Sequence, residues 1–130
     1  MAWPEVFIVF ALSHLVGDFL LQTDWQAQNK AGGIGPDRVA RRALALHVAT
    51  YTLAFVPALI WVADHVGAGA LGIAALIAVP HFVQDDGRLI AAYVGRVKGP
   101  GAREVGAVMI GVDQALHMLA LFGAALLAAA

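Results

Sequence analysis

Four long apolar stretches, separated by short polar or glycine-rich breaks, set the pattern of this chain. They cover roughly residues 5–22, 43–63, 68–86 and 105–128, each close to the ~20 residues a helix needs to cross a hydrocarbon core of about 30 Å. After the first stretch comes a polar run from Thr23 through Lys30. Gly32, Gly33, Gly35 and Pro36 then interrupt any helix, and Pro36 or Asp37 can start the next one. Pro57 predicts a kink in the second stretch, and Asp64-His65-Val66-Gly67 reads as a tight turn. The third stretch is expected to continue past Asp85 as a helix leaving the membrane, before a polar loop from Arg96 to Glu104 containing Gly99-Pro100-Gly101. Short connections favour antiparallel neighbours. A soluble bundle would need a polar face on every helix, and the second and fourth stretches are apolar nearly all round. The expectation is therefore an all-α, antiparallel four-helix transmembrane bundle forming one domain over residues 1–130.

Composition agrees: 61% of the 130 residues are hydrophobic and 13% charged, with a mean hydropathy of +0.78, too apolar for an ordinary soluble domain. The net charge of −1 hides an asymmetry. All eight Lys and Arg fall in two regions: Lys30, Arg38, Arg41 and Arg42 in the first loop, and Arg88, Arg96, Lys98 and Arg103 around the third. Both lie on one side of a four-span bundle, and the positive-inside rule places that side in the cytoplasm with both termini outside. Trp3 and Trp61 would mark the outer interface, Trp25 the inner one. Met1-Ala2-Trp3-Pro4-Glu5 lacks a basic leader, so the first stretch reads as an anchor rather than a signal peptide. No basic tract of the kind nucleic acid requires is present. With no cysteine, thiolate ligands, disulfides and a cysteine nucleophile are excluded.

The polar residues inside the spans carry the chemistry. Each stretch has one histidine, and three of them have an aspartate four positions away: His14/Asp18, His81/Asp85 and Asp113/His117, with His47 alone on the second. Four residues turn an α-helix by about 400°, so each pair shares a face within roughly 40°. Under the expected topology all seven groups sit in the cytoplasmic half. An aspartate at a span's centre costs about 2.5–3.5 kcal/mol, so three left alone approach about 10 kcal/mol and need compensation. Imidazole and carboxylate are the usual ligands of Zn²⁺, Fe²⁺ and Mn²⁺. His14, Asp18, His47, His81, Asp85, Asp113 and His117 are thus candidate ligands of a divalent metal. Seven donors exceed one tetrahedral site, which leaves a dinuclear centre or one metal with aspartates orienting the histidines. A metal-free His–Asp network holding the helices together is the competing reading, and proton or ion conduction a third.

Neighbouring residues read more plainly. Gln22 is as much a helix-end hydrogen bonder as a site residue, and Gln114 points about 100° from Asp113. Asp86 is expected to face water or Arg88, and Asp64 and His65 to be interfacial. Tyr51 reads as interhelical packing beside the cavity. Pro80 removes the hydrogen bond to the Leu76 carbonyl just before His81.

Taken together, His14-x-x-x-Asp18-Phe19-x-x-Gln22 followed by Trp25 and Lys30, then His47, His81-Phe82-Val83-Gln84-Asp85 and Asp113-Gln114-x-x-His117, resemble the signatures of a small bacterial membrane family catalogued as domain of unknown function 3307. The likeness covers nearly the whole chain; Arg88 stands where a lysine is expected. It implies an integral membrane protein, multi-pass in the bacterial inner membrane, of unestablished activity.

The reaction expected from the residues is metal-dependent hydrolysis, with Asp18, Asp85 and Asp113 as catalytic carboxylates and substrate arriving from lipid or cytoplasm. Arg41, Arg42 or Arg88 would hold a phosphate or carboxylate. The alternatives are a metal-ion or proton transporter subunit and a structural or accessory membrane protein. The bilayer is the expected partner, and a homo-oligomer is compatible with the sequence.

Overall fold

The computed structural model describes residues 1–130, and every regular element in it is helical. Helix α1 (Trp3–Leu15) runs without a break into a π-helical segment, Val16–Leu21, giving a 19-residue rod. The widened turn ends at Gln22, whose backbone is extended. A capping box follows: Thr23 accepts from the Gln26 backbone N–H, and the Gln26 side chain accepts from the Thr23 N–H. That box starts a short helix, α2 (Asp24–Asn29), in the polar run after the first stretch.

Helix α3 (Arg38–Ala54) begins where Asp37 accepts from the backbone N–H groups of Val39 and Ala40, as the sequence predicts. It meets α4 (Val56–Val66) at a 56° bend. Pro57 lies in the first turn of α4, where its missing N–H leaves the Leu53 carbonyl without its helical partner. The expected tight turn at 64–67 is shorter than predicted: Asp64 to Val66 remain helical, and Gly67, at φ +56°, stops the helix. Helix α5 (Gly69–Asp85) continues through Pro80. It does not run on past Asp85. Gly87, at φ +80°, redirects the chain into a separate helix, α6 (Arg88–Val97). One 3₁₀ turn, Pro100–Glu104, leads to α7 (Gly106–Ala128).

Two helical rods, Trp3–Leu21 and Gly106–Ala128, are long and apolar enough to cross a membrane, and the bent α3–α4 pair makes a third if counted as one span. Helix α5 is apolar but 17 residues long. Helix α7 packs between α1 and α5. The core occupies one end of the assembly, where Phe10, Phe55, Val62, Ile77 and Leu121 are closed from solvent. The other end, against the first loop and the α5–α6 corner, is polar inside. Only 28 of 130 residues are buried, and apolar side chains cover the outside: Leu20, Leu53, Ile60, Leu71 and Leu119 are each at least 65% exposed.

Candidate metal centre

Five of the seven predicted residues meet at the polar end. Asp18 comes from the π-helical segment, His47 from α3, His81 and Asp85 from the last turns of α5, and His117 from α7. Asp85 is the hub. Its Oδ2 lies 2.7 Å from His47 Nε2 and 3.3 Å from His81 Nε2, and its Oδ1 3.3 Å from His117 Nε2. Across the cluster, Asp18 Oδ1 is 3.2 Å from His47 Nε2 and 3.4 Å from His81 Nε2. The two imidazoles themselves share a hydrogen bond, Nε2 to Nε2, at 3.0 Å. Donor atoms of Asp18, His81, Asp85 and His117 all lie within 4.8 Å of one another, and all four residues are buried. Ligands about 2.0–2.2 Å from a tetrahedral zinc stand roughly 3.3–3.6 Å apart. The set therefore fits a metal with shifts of an ångström or so at its widest separation.

His117 shows what the centre lacks within the protein. Its Nδ1–H donates to the Asp113 carbonyl at 2.8 Å. In the neutral ring this leaves a lone pair on Nε2, 3.3 Å from a carboxylate oxygen of Asp85 and without a hydrogen-bond partner. Asp18 Oδ1 is likewise buried and unpartnered. Two acceptors facing each other in a dry site repel unless a cation or a proton lies between them. A histidine that anchors one nitrogen on a carbonyl and presents the other is also how metal-ligating histidines are held.

Two predicted donors stand at the rim. His14 uses both ring nitrogens: Nε2–H donates to Gln114 Oε1 at 3.0 Å, which leaves Nδ1 to accept from the Tyr51 hydroxyl at 3.0 Å. Its Nε2 is 3.6 Å from Asp18 Oδ2. Asp113 holds His117 through its carbonyl, while its half-buried carboxylate accepts from the Gln114 amide and faces a cleft. Gln114, expected about 100° from Asp113 and at most supporting the ligands, bonds both His14 and Asp113. It reaches His14 because α7 is flanked by protein on both sides, so residue 114 meets α1 while residue 117 meets α5. Tyr51 does more than pack. Its ring stacks on His81 at 3.4 Å between centroids and 4° between planes, and its hydroxyl fixes His14. Gly17 permits this, since a Cβ there would lie 2.6 Å from the Tyr51 ring.

Lys30, present in the sequence motif but not among the candidate site residues, joins the cluster. Its Nζ donates to Asp85 Oδ2 at 2.6 Å and to Gln22 Oε1. The capping box at Thr23–Gln26 was the available signal, because α2 carries Lys30 back over the cluster. Lys30, Gln84, Asp85 and Asp113 line an open cleft of about 380 Å³ whose remaining walls include Met109 and Ile110. Asp86 is buried and, of the two expected partners, faces Arg88. It accepts from the Ile34 N–H at 2.8 Å and from Arg88 at 2.6 Å, and its carbonyl accepts from the Gly32 N–H, so it fastens the first loop to the α5–α6 corner. Arg88 is engaged by Asp86 and Arg41 by the Gly35 carbonyl, and neither lines the cleft; the cation that does is Lys30, itself bonded to Asp85 and Gln22.

A model of the family described as protein of unknown function (DUF3307) matches residues 6–129. No curated protein and no solved structure gives a significant match.

Proposed function

The chain belongs to the DUF3307 family, whose description names no activity, and we propose from the site itself that it is a membrane-spanning, divalent-metal-dependent hydrolase. The rods α1 with its π-helical extension, α3–α4, α5 and α7 form the antiparallel four-helix bundle, with basic loops and metal site toward the cytoplasm. Long apolar side chains exposed all round the bundle support this, since a soluble monomer rarely shows patches above a few hundred Å².

Asp18, His81, Asp85 and His117 hold the metal, with His47 against three of them. The observation carrying this reading is His117, whose buried Nε2 has no hydrogen-bond partner and lies 3.3 Å from a carboxylate oxygen of Asp85. Formal charge points the same way. With neutral imidazoles, Asp18, Asp85 and Asp113 bring three negative charges and Lys30 one positive, and a divalent cation cancels the remaining two. Such a cation, when bound, lowers the pKa of a water to about 7 and polarises a carbonyl or phosphoryl oxygen. The chain supplies the rest. Asp113 is the carboxylate on the cleft that does not hold the metal and takes the proton, while Gln114 and His14 tie it to Tyr51. Lys30 meets negative charge developing on the substrate, and Met109 and Ile110 receive its apolar part.

The ion pair between Lys30 and Asp85 favours a second reading, a metal-free network that locks the helices. The transporter reading is weaker, because the core beyond His14 holds no ionisable group other than Tyr51. Hydrolysis of ester and phosphoester substrates by reconstituted protein loaded with Zn²⁺, Fe²⁺ or Mn²⁺ tests the proposal. Asp113→Asn is expected to lower turnover at least 100-fold while metal stays bound. Metal binding without turnover on any substrate class would reject the hydrolase and leave a metal-binding protein.

A further inference from the structure

A groove of about 460 Å³ lies away from the metal centre, along the outer face of α7 beside the end of α6. Gly111, Val112, Leu116 and Leu119 form its apolar floor, and Tyr93 and Lys98 close one end. The α7 stretch from Val108 to Leu119 is about 16 Å long, half the thickness of a bilayer's hydrocarbon core. No side chain fills the groove at Gly111, where an added Cβ would meet nothing within 4 Å.

At the end nearest α6 the groove is lined by one cation, Lys98. Arg96 and Lys98 are exposed, and Arg103 folds across α6, donating to the Ala91 carbonyl at 2.8 Å. Its guanidinium occupies the space a Gly95 side chain would take. None of the three has an ion-pair partner, although Glu104 follows Arg103 in the chain; the salt bridges of Lys and Arg are confined to Lys30 and Arg88. Helix α6 itself is amphipathic. Ile90 and Val94 are buried, while Leu89, Tyr93 and Val97 form an outward apolar stripe, each at least 42% exposed. A helix with that pattern lies in the interface of a bilayer, and tyrosine is enriched at headgroup depth.

We propose that this groove is a binding site for one anionic phospholipid, with an acyl chain along α7 and the phosphate among Lys98, Arg96 and Arg103. The occupant follows from charge complementarity: Lys98 at the end of an apolar slot, with Arg96 two residues before it and the Arg103 guanidinium against Gly95 of the same helix, matches a negative headgroup on an aliphatic tail. Each basic group near a membrane surface adds to the attraction for anionic lipid. The inference rests on the membrane-spanning reading of the bundle and is independent of the metal.

Native mass spectrometry of detergent-purified protein, exchanged against equal amounts of phosphatidylglycerol and phosphatidylcholine with the same acyl chains, tests it. The expected result is one retained phosphatidylglycerol, preferred at least tenfold. Arg96→Gln with Lys98→Gln should abolish the preference, and Gly111→Leu should fill the slot and displace the lipid. Equal retention of the two lipids, or a preference unchanged in both variants, would overturn the proposal. Alkaline carbonate extraction separates its failure from that of the underlying reading. Protein left in the membrane pellet without lipid preference contradicts the lipid site alone, whereas protein released to the supernatant contradicts the spanning bundle as well.

Discussion

Replacing Asp85 by asparagine keeps the side chain's size and removes its charge, which isolates what the carboxylate does. The side chain is 2% exposed, with Lys30 Nζ at 2.6 Å and His47 Nε2 at 2.7 Å. Taking one partner from a buried ion pair costs about 3–5 kcal/mol. Lys30 is 18% exposed and borders the cleft, so it can turn toward water, and the expected loss is at the low end, about 3 kcal/mol. Lys30→Met removes the other partner. The double variant strands neither charge and should be about 2 kcal/mol more stable than the sum of the two single losses, within the usual range for residues in contact. Denaturation of metal-stripped protein in detergent measures all four corners of this cycle. Strictly additive losses would refute the ion pair. Metal titration of Lys30→Met adds a second reading, since the ammonium competes with a cation for Asp85 Oδ2. Binding should tighten by about tenfold, or ~1.4 kcal/mol.

Two further substitutions test how the site is held. Gly17→Ala places a Cβ 2.6 Å from the Tyr51 ring and 3.3 Å from its Cα, which overpacks the junction of the π-helical segment with α3 and should cost about 1–3 kcal/mol; an unchanged melting temperature would contradict that packing. Tyr51→Phe keeps the stack on His81 but strands His14 Nδ1, at a cost of about 1–3 kcal/mol. Metal affinity should change far less than for His117→Ala, and an equal loss in both variants would put His14 and Tyr51 in direct control of the metal.

The polar cluster was legible because its residue types are costly in an apolar span and because four-residue spacing survives as geometry. His81 and Asp85 do share a face of α5, and His117 sits one turn beyond Asp113 on α7. Helix α3 was legible through Asp37, a local cap whose effect depends on nothing distant. What escaped the reading depends on tertiary placement. Lys30 is polar in a polar stretch, and only the path of α2 brings its ammonium to Asp85. The role of Gln114 required knowing that α7 has neighbours on two sides. The split between α5 and α6 turns on one glycine, Gly87, whose left-handed backbone is a reasonable helix end in retrospect. Residue spacing likewise could not divide seven donors into those at the centre and those at the rim. That division comes from hydrogen bonds: His14 has both nitrogens occupied, whereas His117 has one free and turned inward.

Metal content by mass spectrometry, on detergent-purified protein beside folded His117→Ala and Asp113→Asn variants, tests the central claim most directly. A near-stoichiometric divalent metal is expected in the unmodified protein, retained in Asp113→Asn and lost in His117→Ala. No metal in the unmodified protein, even after reloading with Zn²⁺, Fe²⁺ and Mn²⁺, would contradict it and leave the His–Asp cluster as a structural network.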